Sequence, residues 1–269
     1  MRFSDGLLLY FQPVGKTGKL MVNETRKIQS VERAMYLLEQ IALAGGQARL
    51  GWLAEQTGLN KATLHGLLNT LAALGYISRE GAAYTLGLRL RDLTLPLSDA
   101  DERLRSRFRP LMAQLHALSG ENVYLAAPCG TREYRYLEVL GDDSRHNSPS
   151  PRGRREGLTT SAMGKVFLAE IEEMARSLRR AGKLSAALGA ELAEIRRQGY
   201  ALDLGEAEEG WFAFAVALRD NGRTVAGISV AGRADALPHA RLVALAEASL
   251  RLIWAAESET AGADAHQAV

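Results

Sequence analysis

The chain has 269 residues, of which 47% are apolar and 24% are charged, with a formal net charge of +2. This length predicts two domains, each large enough to bury its own core. The mildly basic charge permits nucleic-acid binding without indicating it, because a sequence-specific binder needs a local basic face. The single cysteine, Cys129, excludes an intrachain disulfide and a four-cysteine metal site, which fits a reducing compartment.

The N-terminal stretch is predicted to lie outside the folded domains. Its apolar run, residues 7–11, is too short for a signal sequence or a membrane span, and no stretch elsewhere reaches about 18 apolar residues. We therefore expect a cytoplasmic protein with no membrane partner. Residues 1–25 are the predicted disordered extension, and Met21 is an alternative start to Met1.

Residues 26–92 predict a domain of three helices followed by a hairpin. The segment "SVERAMYLLEQIA" has Ser30 as a candidate N-cap and repeats apolar residues at helical spacing, and a short second helix is expected from Arg49. Gly58 marks a tight turn before a third helix capped by Asn60. The stretch "YISREGAAYTLG" then alternates as two short strands. This order is the helix-turn-helix pattern, with the hairpin as its wing.

The third helix, in "GLNKATLHGLLNTLAALGY", is amphipathic in the way that a recognition helix requires. Its apolar stripe is expected to face the core and comprises Leu64, Leu67, Leu68, Leu71 and Leu74. The other side is slim and polar, and Gly66 would let the helix approach a duplex closely, although glycine weakens a helix by about 1 kcal/mol. The predicted DNA-binding residues are Arg49, Asn60, Lys61, Ala62, Thr63, His65, Asn69 and, at the tip of the wing, Arg79. The alternative for this segment alone is a three-helix bundle with a solvated outer face.

The middle of the chain is predicted to connect two domains. The helical pattern from Leu88 to about Ser119 is interrupted near Pro96 and at Pro110, which predicts two helices with a joint. Within this stretch, residues 93–110 are expected to form a linker helix, and its segment Asp99–Arg109 is highly charged with solvated faces.

Residues 111–256 predict a second domain of α+β class, an antiparallel sheet with helices packed around it. The segments "ENVYLAA" and "EYRYLEVL" look like one antiparallel strand pair, and "WFAFAVALRD" and "TVAGISVAGR" form a hairpin around an Asn-Gly turn. Three helices are expected between the two strand pairs and one more at the end of the domain. Residues 257–269 are predicted to be a disordered tail.

The segment "GLTTSAMGK" marks a candidate site for an anion. Thr159 or Thr160 is the expected cap of the helix that begins there. The first N–H groups of a helix, at the positive end of its dipole, can hold a carboxylate or a carbonyl oxygen. A simple N-cap explains the same residues. Likewise, Asp203 is explained as a solvated loop residue and Ser229 as a serine tolerated in a strand.

Several segments resemble the IclR-type bacterial transcriptional regulators in order and spacing. They include "IQSVERAMYLLEQIA", "GLNKATLHGLLNTLAALGYISRE", "TTSAMGKVFLA", "RRQGYALDLGEAEEGWFAFAVAL" and "GISVAGRADAL", and the resemblance covers residues 28–254. It implies a winged helix-turn-helix domain joined to a GAF-like effector domain, homodimers or dimers of dimers, and pseudo-palindromic operators. Gly66 stands where the family usually has arginine, and Ala62 stands where it usually has serine. The operator sequence therefore cannot be inferred from the resemblance.

The resemblance also implies a set of effector-binding residues, which are Thr160, Ser161, Asp203, Ala213, Ser229 and Ala231. Ala213 and Ala231 stand where cysteine and serine are common in the family, so we expect a pocket less polar than one for a small oxoacid. With Trp211, Phe212 and Phe214 nearby, our hypothesis is a larger or aromatic acid. The alternative is that these aromatics belong to the core, because alternate residues of a strand face opposite sides.

No catalytic residue, cofactor or metal site is predicted. The segment "GLTTSAMGKV" lacks the glycine and the Ser or Thr that a phosphate-binding loop requires, at Thr159 and Val166. Cys129 and His116 lie in no nucleophile signature, and no His/Cys spacing suggests metal ligands. The predicted function is therefore a non-enzymatic, ligand-responsive regulator of a catabolic operon, whose partners are double-stranded operator DNA and a small organic acid. The alternative is a small-molecule sensor whose winged helix contacts protein instead of DNA.

Overall fold

The chain divides between Leu95 and Pro96 into two units, and the computed structural model describes residues 28–141 and 155–267 of it. The extension expected over residues 1–25 lies outside these ranges. Helices and strands occur in both units, so the fold is of the predicted α+β class.

In the described part of the first unit, three helices and a small antiparallel sheet precede a long helix that begins at Arg89. The elements before that helix are α1 (Gln29–Leu43), β1 (Gln47–Arg49), α2 (Leu50–Thr57), α3 (Lys61–Ala73), β2 (Ile77–Glu80) and β3 (Ala83–Leu86). The strands pair in the order β1-β3-β2, and the hairpin of β2 and β3 follows α3 directly. The three helices meet in an apolar core whose fully buried members include Leu37, Ile41, Leu53, Leu64 and Leu68. The predicted helix-turn-helix and wing are therefore present.

The ends of the helices in this unit differ from the prediction. α1 begins at Gln29, so Ser30 lies inside its first turn instead of capping it. The predicted apolar stripe on α3 ends earlier than expected, because the chain turns into a left-handed conformation at Gly75, with a φ of 79°. Leu74 is therefore left 47% exposed, outside the core.

The strand β1 was not predicted, and it changes the position of Arg49. This residue ends β1 and pairs with Ala83 of β3, and α2 starts only after it. The sequence gives little signal for β1, since three residues are too few to show a strand periodicity. Arg49 is thus on the outer strand of the wing sheet and not in a helix.

Gly87 allows the chain that leaves the wing to pack closely against the chain that leaves α3. Its N–H donates a 2.8 Å hydrogen bond to the carbonyl of Tyr76. A Cβ atom at position 87 would overlap the Gly75 carbonyl oxygen and would lie 2.8 Å from the Tyr76 carbonyl carbon. Both neighbours are backbone atoms, which cannot turn aside as a side chain can. The exit of the wing is therefore packed directly against the exit of α3.

The second unit contains a six-stranded antiparallel sheet with helices on both faces. Its elements are α4 (Arg89–Ser119, which begins in the first unit), β4 (Asn122–Cys129), β5 (Glu133–Leu140), β6 (Arg155–Gly157), α5 (Ala162–Glu170), α6 (Glu172–Arg180), α7 (Ala186–Gln198), β7 (Tyr200–Leu204), β8 (Trp211–Asp220), β9 (Arg223–Arg233) and α8 (His239–Gln267). The strand order is β6-β5-β4-β9-β8-β7. The predicted hairpin of β8 and β9 has Asn221 and Gly222 at its turn, both with positive φ, as a type I′ turn requires.

The two faces of this sheet carry separate cores. One face packs against the C-terminal half of α4 and against α8, through residues such as Leu115, Phe214 and Leu242. The other face packs against α5, α6 and α7, through residues such as Phe167 and Leu192. Both faces are therefore buried, and a pocket on this sheet must lie under one of the two helical layers.

The prediction of two helices with a joint between residues 88 and 119 is wrong, because α4 is one helix of 31 residues with Pro96 and Pro110 inside it. A proline lacks the N–H that would bond the carbonyl four residues earlier. Those carbonyls belong to Asp92 and Ser106, which are exposed. Water can satisfy them there, so the helix continues.

Three further predictions for this unit need correction. The cap of α5 is Ser161, whose side chain accepts a hydrogen bond from the N–H of Gly164, and not Thr159 or Thr160. The edge strand β6 was not predicted. The backbone of α8 continues to Gln267, so residues 257–267 are helical where a disordered tail was expected.

The packing at Gly87 gives a stability prediction with an internal control. Gly87→Ala should lower the free energy of unfolding of the first unit by about 1–3 kcal/mol, because its Cβ meets backbone. Gly66→Ala should raise it by about 0.5–1 kcal/mol, because a Cβ there meets nothing within 4 Å and alanine favours a helix. Native-state hydrogen exchange of α1 core amides measures both. Equal effects of the two substitutions would contradict the packing at Gly87.

Candidate functional site

The outer face of α3 is open and slender. Lys61, Ala62, His65 and Asn69 are exposed, and apart from its chain neighbours and the backbone of its own helix no atom lies within 4 Å of the place where Gly66 would carry a Cβ. Five of the predicted DNA-contact positions are on this helix, and these four lie on its exposed side. Such a face fits the major groove of B-DNA, which is about 12 Å wide.

Two of the predicted contact residues have a structural role at the start of α3. The side-chain oxygen of Asn60 accepts a 2.9 Å hydrogen bond from the N–H of Thr63, which makes Asn60 the N-cap. Its amide nitrogen remains a donor that can reach a phosphate. Thr63 is half-buried. Asn60 therefore fixes where the helix begins in addition to any contact that it makes with DNA.

Arg79 lies on β2 and not at the tip of the wing. The turn is formed by Gly81 and Ala82, and the Arg79 guanidinium reaches back to it, with Nε donating a 3.2 Å hydrogen bond to the Gly81 carbonyl. The guanidinium carbon also lies 6.0 Å from the centre of the Tyr84 ring. Arg79 is still exposed, so its charge is held beside the tip.

The structure does not bring Arg49 and Arg79 to one surface. Arg49 pairs with Ala83, whereas Arg79 pairs with the next residue of β3, Tyr84. Successive residues of a strand face opposite sides of the sheet. The two arginines therefore flank the wing sheet from opposite faces.

The start of α5 offers backbone donors to an anion. Ser161 accepts from the N–H of Gly164 at 3.1 Å, and the first bond within the helix runs from the N–H of Lys165 to the Ser161 carbonyl at 3.0 Å. The N–H groups of Ala162 and Met163 precede that bond, so they have no helical partner. Thr160, just before the cap, is exposed.

Cross-strand register brings four of the predicted effector-binding residues together on the sheet. Asp203 pairs with Ala213, and Ala213 pairs with Ala231, so these three form one row across β7, β8 and β9. Ser229 pairs with Ala215 and belongs to the next row. Directly paired residues share a face, and this face is the one that α5 covers.

Ser229 is a buried hydroxyl with no hydrogen-bond partner among the described residues. It is 6% exposed, and within the part of the chain that the structure describes its side chain makes no hydrogen bond. Leaving a buried polar group unsatisfied costs about 1–3 kcal/mol. A hydroxyl of this kind on the α5 face indicates a position where a ligand or a water molecule supplies the missing hydrogen bond.

Asp203 organises the loop that follows β7. Its Oδ1 accepts hydrogen bonds from the backbone N–H groups of Gly205, Glu206 and Ala207, at 3.1, 2.7 and 3.3 Å. It is 5% exposed, so the interpretation as a solvated loop residue is wrong. Burial raises the pKa of the Asp203 carboxyl above its ordinary value, although these three bonds and the charge of Lys165 act in the opposite direction.

A hydrogen-bonded cluster of tyrosines was not predicted. The hydroxyl of Tyr134 donates to Glu156 at 2.6 Å and lies 2.9 Å from the Ser161 hydroxyl, and Tyr136 donates to the same Glu156 oxygen at 3.0 Å. The rings of Tyr124 and Tyr136 are 5.7 Å apart. Burial, together with the nearby Tyr136 and Glu156, raises the pKa of Tyr134 well above its ordinary value, so this hydroxyl keeps its proton.

The tyrosines lie on the α5 face of the sheet. Tyr124 pairs with Ser229, and Tyr134 packs in the same core as α5. Phe212 and Phe214 instead pack on the opposite face, with α4 and α8, which agrees with the alternative that these aromatics belong to the core. The aromatic wall of the candidate site is therefore made by β4 and β5.

Lys165 was also missed, because a lysine in a helical sequence is usually assigned to solvent. Its side chain is fully buried, and its ammonium group contacts Glu206 at 2.6 Å and Glu191 at 2.9 Å. Burial lowers the pKa of Lys165, but the hydrogen bonds and charges of the two glutamates outweigh burial, so the pKa lies above its ordinary value. The cluster ties α5 to α7 and to the loop after β7.

The described residues contain no group of three or more His, Cys, Asp or Glu side chains arranged to hold a metal ion. Across the same ranges, no helix combines the length and the hydropathy needed to cross a bilayer.

Comparisons with known proteins agree with this architecture in both units. Residues 30–81 match the IclR helix-turn-helix domain, and residues 100–252 match the C-terminal domain of bacterial IclR transcriptional regulators. The regulator BhcR of Paracoccus denitrificans is 30% identical over 252 residues, covering 88% of this chain and 89% of BhcR. The chain belongs to the IclR family of bacterial transcriptional regulators. As a member of this family, the chain has a DNA-binding helix-turn-helix unit and an effector unit. The relatives that it matches are regulators and not enzymes.

Two solved structures of IclR proteins share the fold. A regulator from Brucella abortus superposes with a TM-score of 0.67 at 21% identity, covering 87% of this chain and 93% of its own. An IclR homologue from Microbacterium hydrocarbonoxydans, in complex with 4-hydroxybenzoate, superposes with a TM-score of 0.63 at 22% identity, covering 85% of this chain and 99% of its own. At these identities the likeness concerns the fold.

The raised pKa of Asp203 gives a pH prediction. A raised pKa means that the folded state binds a proton more readily than the unfolded state, so the contribution of Asp203 to stability falls as pH rises from its ordinary pKa through the raised one. Asp203→Asn keeps an oxygen acceptor and cannot ionise. Its stability relative to the parent should therefore increase as pH rises above about 4, measured by urea unfolding. Asp203→Ala, which leaves three N–H groups unbonded, should instead be destabilising by about 1–3 kcal/mol. Stability that is equal for Asn and Ala at every pH would contradict this role.

Proposed function

We propose that this IclR-family protein regulates a catabolic operon from the cytoplasm, as a homodimer or dimer of dimers that binds a pseudo-palindromic operator. We further propose that a small aromatic acid is its effector. The observation that supports DNA binding best is the slender, exposed face of α3, followed at once by a wing with Arg79 beside its tip.

DNA contact by α3 follows from the shape and polarity of its outer side. When α3 lies in the major groove, Lys61 can neutralise a phosphate, whereas His65 and Asn69 can reach the edges of the DNA bases. Gly66 leaves room for the backbone to approach. Two such helices in a dimer must lie about 34 Å apart to read successive major grooves, which requires a fixed pairing of two copies.

Apolar residues on α4 support pairing of two copies. Leu90, Leu93, Leu97 and Leu104 follow one another at spacings of three, four and seven residues, which is the seam of a coiled coil. Leu90 and Leu104 are partly buried against the chain's own cores, whereas Leu93 is 56% exposed and Leu97 is 64% exposed in a single chain. Large aliphatic side chains at successive seam positions are stabilised when a second helix covers them.

The effector site that we propose lies between the start of α5 and the sheet face beneath it. The N–H groups of Ala162 and Met163 receive the carboxylate, and the unpartnered hydroxyl of Ser229 supplies a second polar contact. The rings of Tyr124 and Tyr136 pack against an aromatic ring, since offset and tilted arrangements of rings are favourable. The complex of an IclR homologue with 4-hydroxybenzoate agrees with this chemical class.

DNA binding by α3 predicts three measurable changes in a gel shift with DNA upstream of the gene and its neighbours. Lys61→Ala should weaken binding and reduce the slope of log affinity against log salt by about 1, because one phosphate contact is lost. His65→Ala should weaken binding by about tenfold or more, which corresponds to about 1–3 kcal/mol for a base contact. Gly66→Ala should weaken binding while raising stability.

The control for these variants is Arg180→Ala, which removes an exposed cation from α6 and should change neither affinity nor salt slope. If the parent ignores every promoter fragment even at low salt, the winged helix does not bind DNA. The alternative, a sensor whose winged helix contacts protein, would then stand.

The effector proposal predicts that calorimetry detects binding of benzoate or 4-hydroxybenzoate and not of glyoxylate. Ser229→Ala should weaken that binding by about tenfold without lowering the stability of the ligand-free protein, because the hydroxyl that it removes bonds to none of the described residues. Ser249→Ala is the matched control, since this buried hydroxyl donates to the Leu245 carbonyl at 2.7 Å and lies on α8. Tight binding of glyoxylate without binding of the aromatic acids would overturn the proposed class.

A further inference from the structure

Strand β5 connects the candidate effector site with the helix that leads to the DNA-binding unit. Tyr134 and Tyr136 lie on its α5 face, in the tyrosine cluster. Arg135, between them, lies on the opposite face, where its guanidinium forms an ion pair with Asp101 of α4. One short segment of chain thus contacts the proposed effector site on one side and α4 on the other.

The ion pair is partly shielded from water. The Arg135 side chain is 36% exposed and that of Asp101 is 19% exposed. Solvent screening is weaker for such a pair than for an exposed one, so its formation depends strongly on geometry. A small displacement of Arg135 should therefore change the energy of this contact more than it would change an ion pair in open solvent.

The segment of β5 that carries these residues is less restrained than the centre of the sheet. Within the described ranges, its outer neighbour is the edge strand β6, whose three residues pair with positions 133–135. On the other side, the register with β4 shifts directly after Tyr136, where Ala126 pairs with Tyr136 but Leu125 pairs with Glu138. A bulge of this kind interrupts the ladder of hydrogen bonds, so the segment can move with little disturbance of the rest of the sheet.

A second ion pair on α4 provides a comparison. Arg107 contacts Asp220 at 2.8 Å, with side chains 39% and 47% exposed. Asp220 lies at the end of β8, beside the turn at Asn221, and none of the residues proposed to bind the effector adjoins it. This ion pair attaches α4 to the sheet at a position away from the segment of β5 that carries Tyr134 and Tyr136.

We propose that the Asp101–Arg135 ion pair is the contact through which occupancy of the effector site acts on α4. An effector changes DNA affinity only if it binds one arrangement of the protein more tightly than another. Effector packed against Tyr136 favours one position of β5, and Arg135 transmits that position to Asp101. The role of α4 in controlling DNA binding rests on the proposed function, whereas the link between α4 and the tyrosines does not.

The first test uses the ligand-free, full-length protein and needs neither DNA nor effector. Asp101→Asn and Arg135→Gln should each speed amide hydrogen exchange in residues 133–136 by about tenfold, because each removes the contact that holds this segment to α4. The double variant should add little to either single change, since both break one interaction. Arg107→Gln, the matched control, should leave this segment unchanged. Equal exchange in Asp101→Asn and Arg107→Gln would overturn the proposal.

The second test measures operator affinity with and without saturating 4-hydroxybenzoate. A coupling of about 5- to 150-fold is typical of allosteric proteins, and Asp101→Asn should reduce it to nearly 1 while calorimetric binding of 4-hydroxybenzoate persists. The charge-exchanged pair Asp101→Arg with Arg135→Asp should restore part of it, and Arg107→Gln should retain it. Coupling that survives in Asp101→Asn would overturn the proposal. If the parent binds no operator, or does not bind 4-hydroxybenzoate, the proposed function is contradicted instead. The hydrogen-exchange test then still decides whether the Asp101–Arg135 ion pair connects α4 to β5.

Discussion

The effector unit depends on how closely α5 approaches the sheet. A Cβ on Gly164 would lie 2.6 Å from the Cα of Leu158, and a Cβ on Gly227 would lie 2.5 Å from the sulfur of Met163. Gly227 thus lets α5 lie close to β9, and Gly164 lets the segment that enters α5 pack against the helix itself. At that distance the hydroxyl of the cap residue Ser161 lies 2.9 Å from the hydroxyl of Tyr134 on β5.

The fold of the DNA-binding unit could largely be predicted from its sequence, because its core follows helical spacing. Leu64, Leu68 and Leu71 are buried as the pattern of α3 indicated. Details that depend on the pairing of distant segments could not be predicted. The strand β1 exists because it pairs with β3, and Arg79 lies beside the tip of the wing because Gly81, with a φ of 61°, makes the turn two residues later.

The candidate effector site was only partly predictable, for a related reason. The alternation along β8 is hidden because helices bury both faces of the sheet, so nothing in the sequence says which side Phe214 takes. Tyr136 and Glu156 are twenty residues apart and meet through strand register, which a single sequence does not reveal. Lys165 is buried only because Glu191 and Glu206 come from other elements to pair with it.

The alternation of β5 has a consequence for how regulators of this architecture can diversify. At the effector site that we propose, replacing Tyr134 or Tyr136 would alter which ligand fits, while Arg135 on the opposite face would keep its ion pair with Asp101. On this proposal, the residues that select the ligand and the residue that transmits its binding lie on opposite faces of one strand. If the proposed coupling holds, ligand preference can change through substitutions on the α5 face alone, without any change to Arg135 or Asp101.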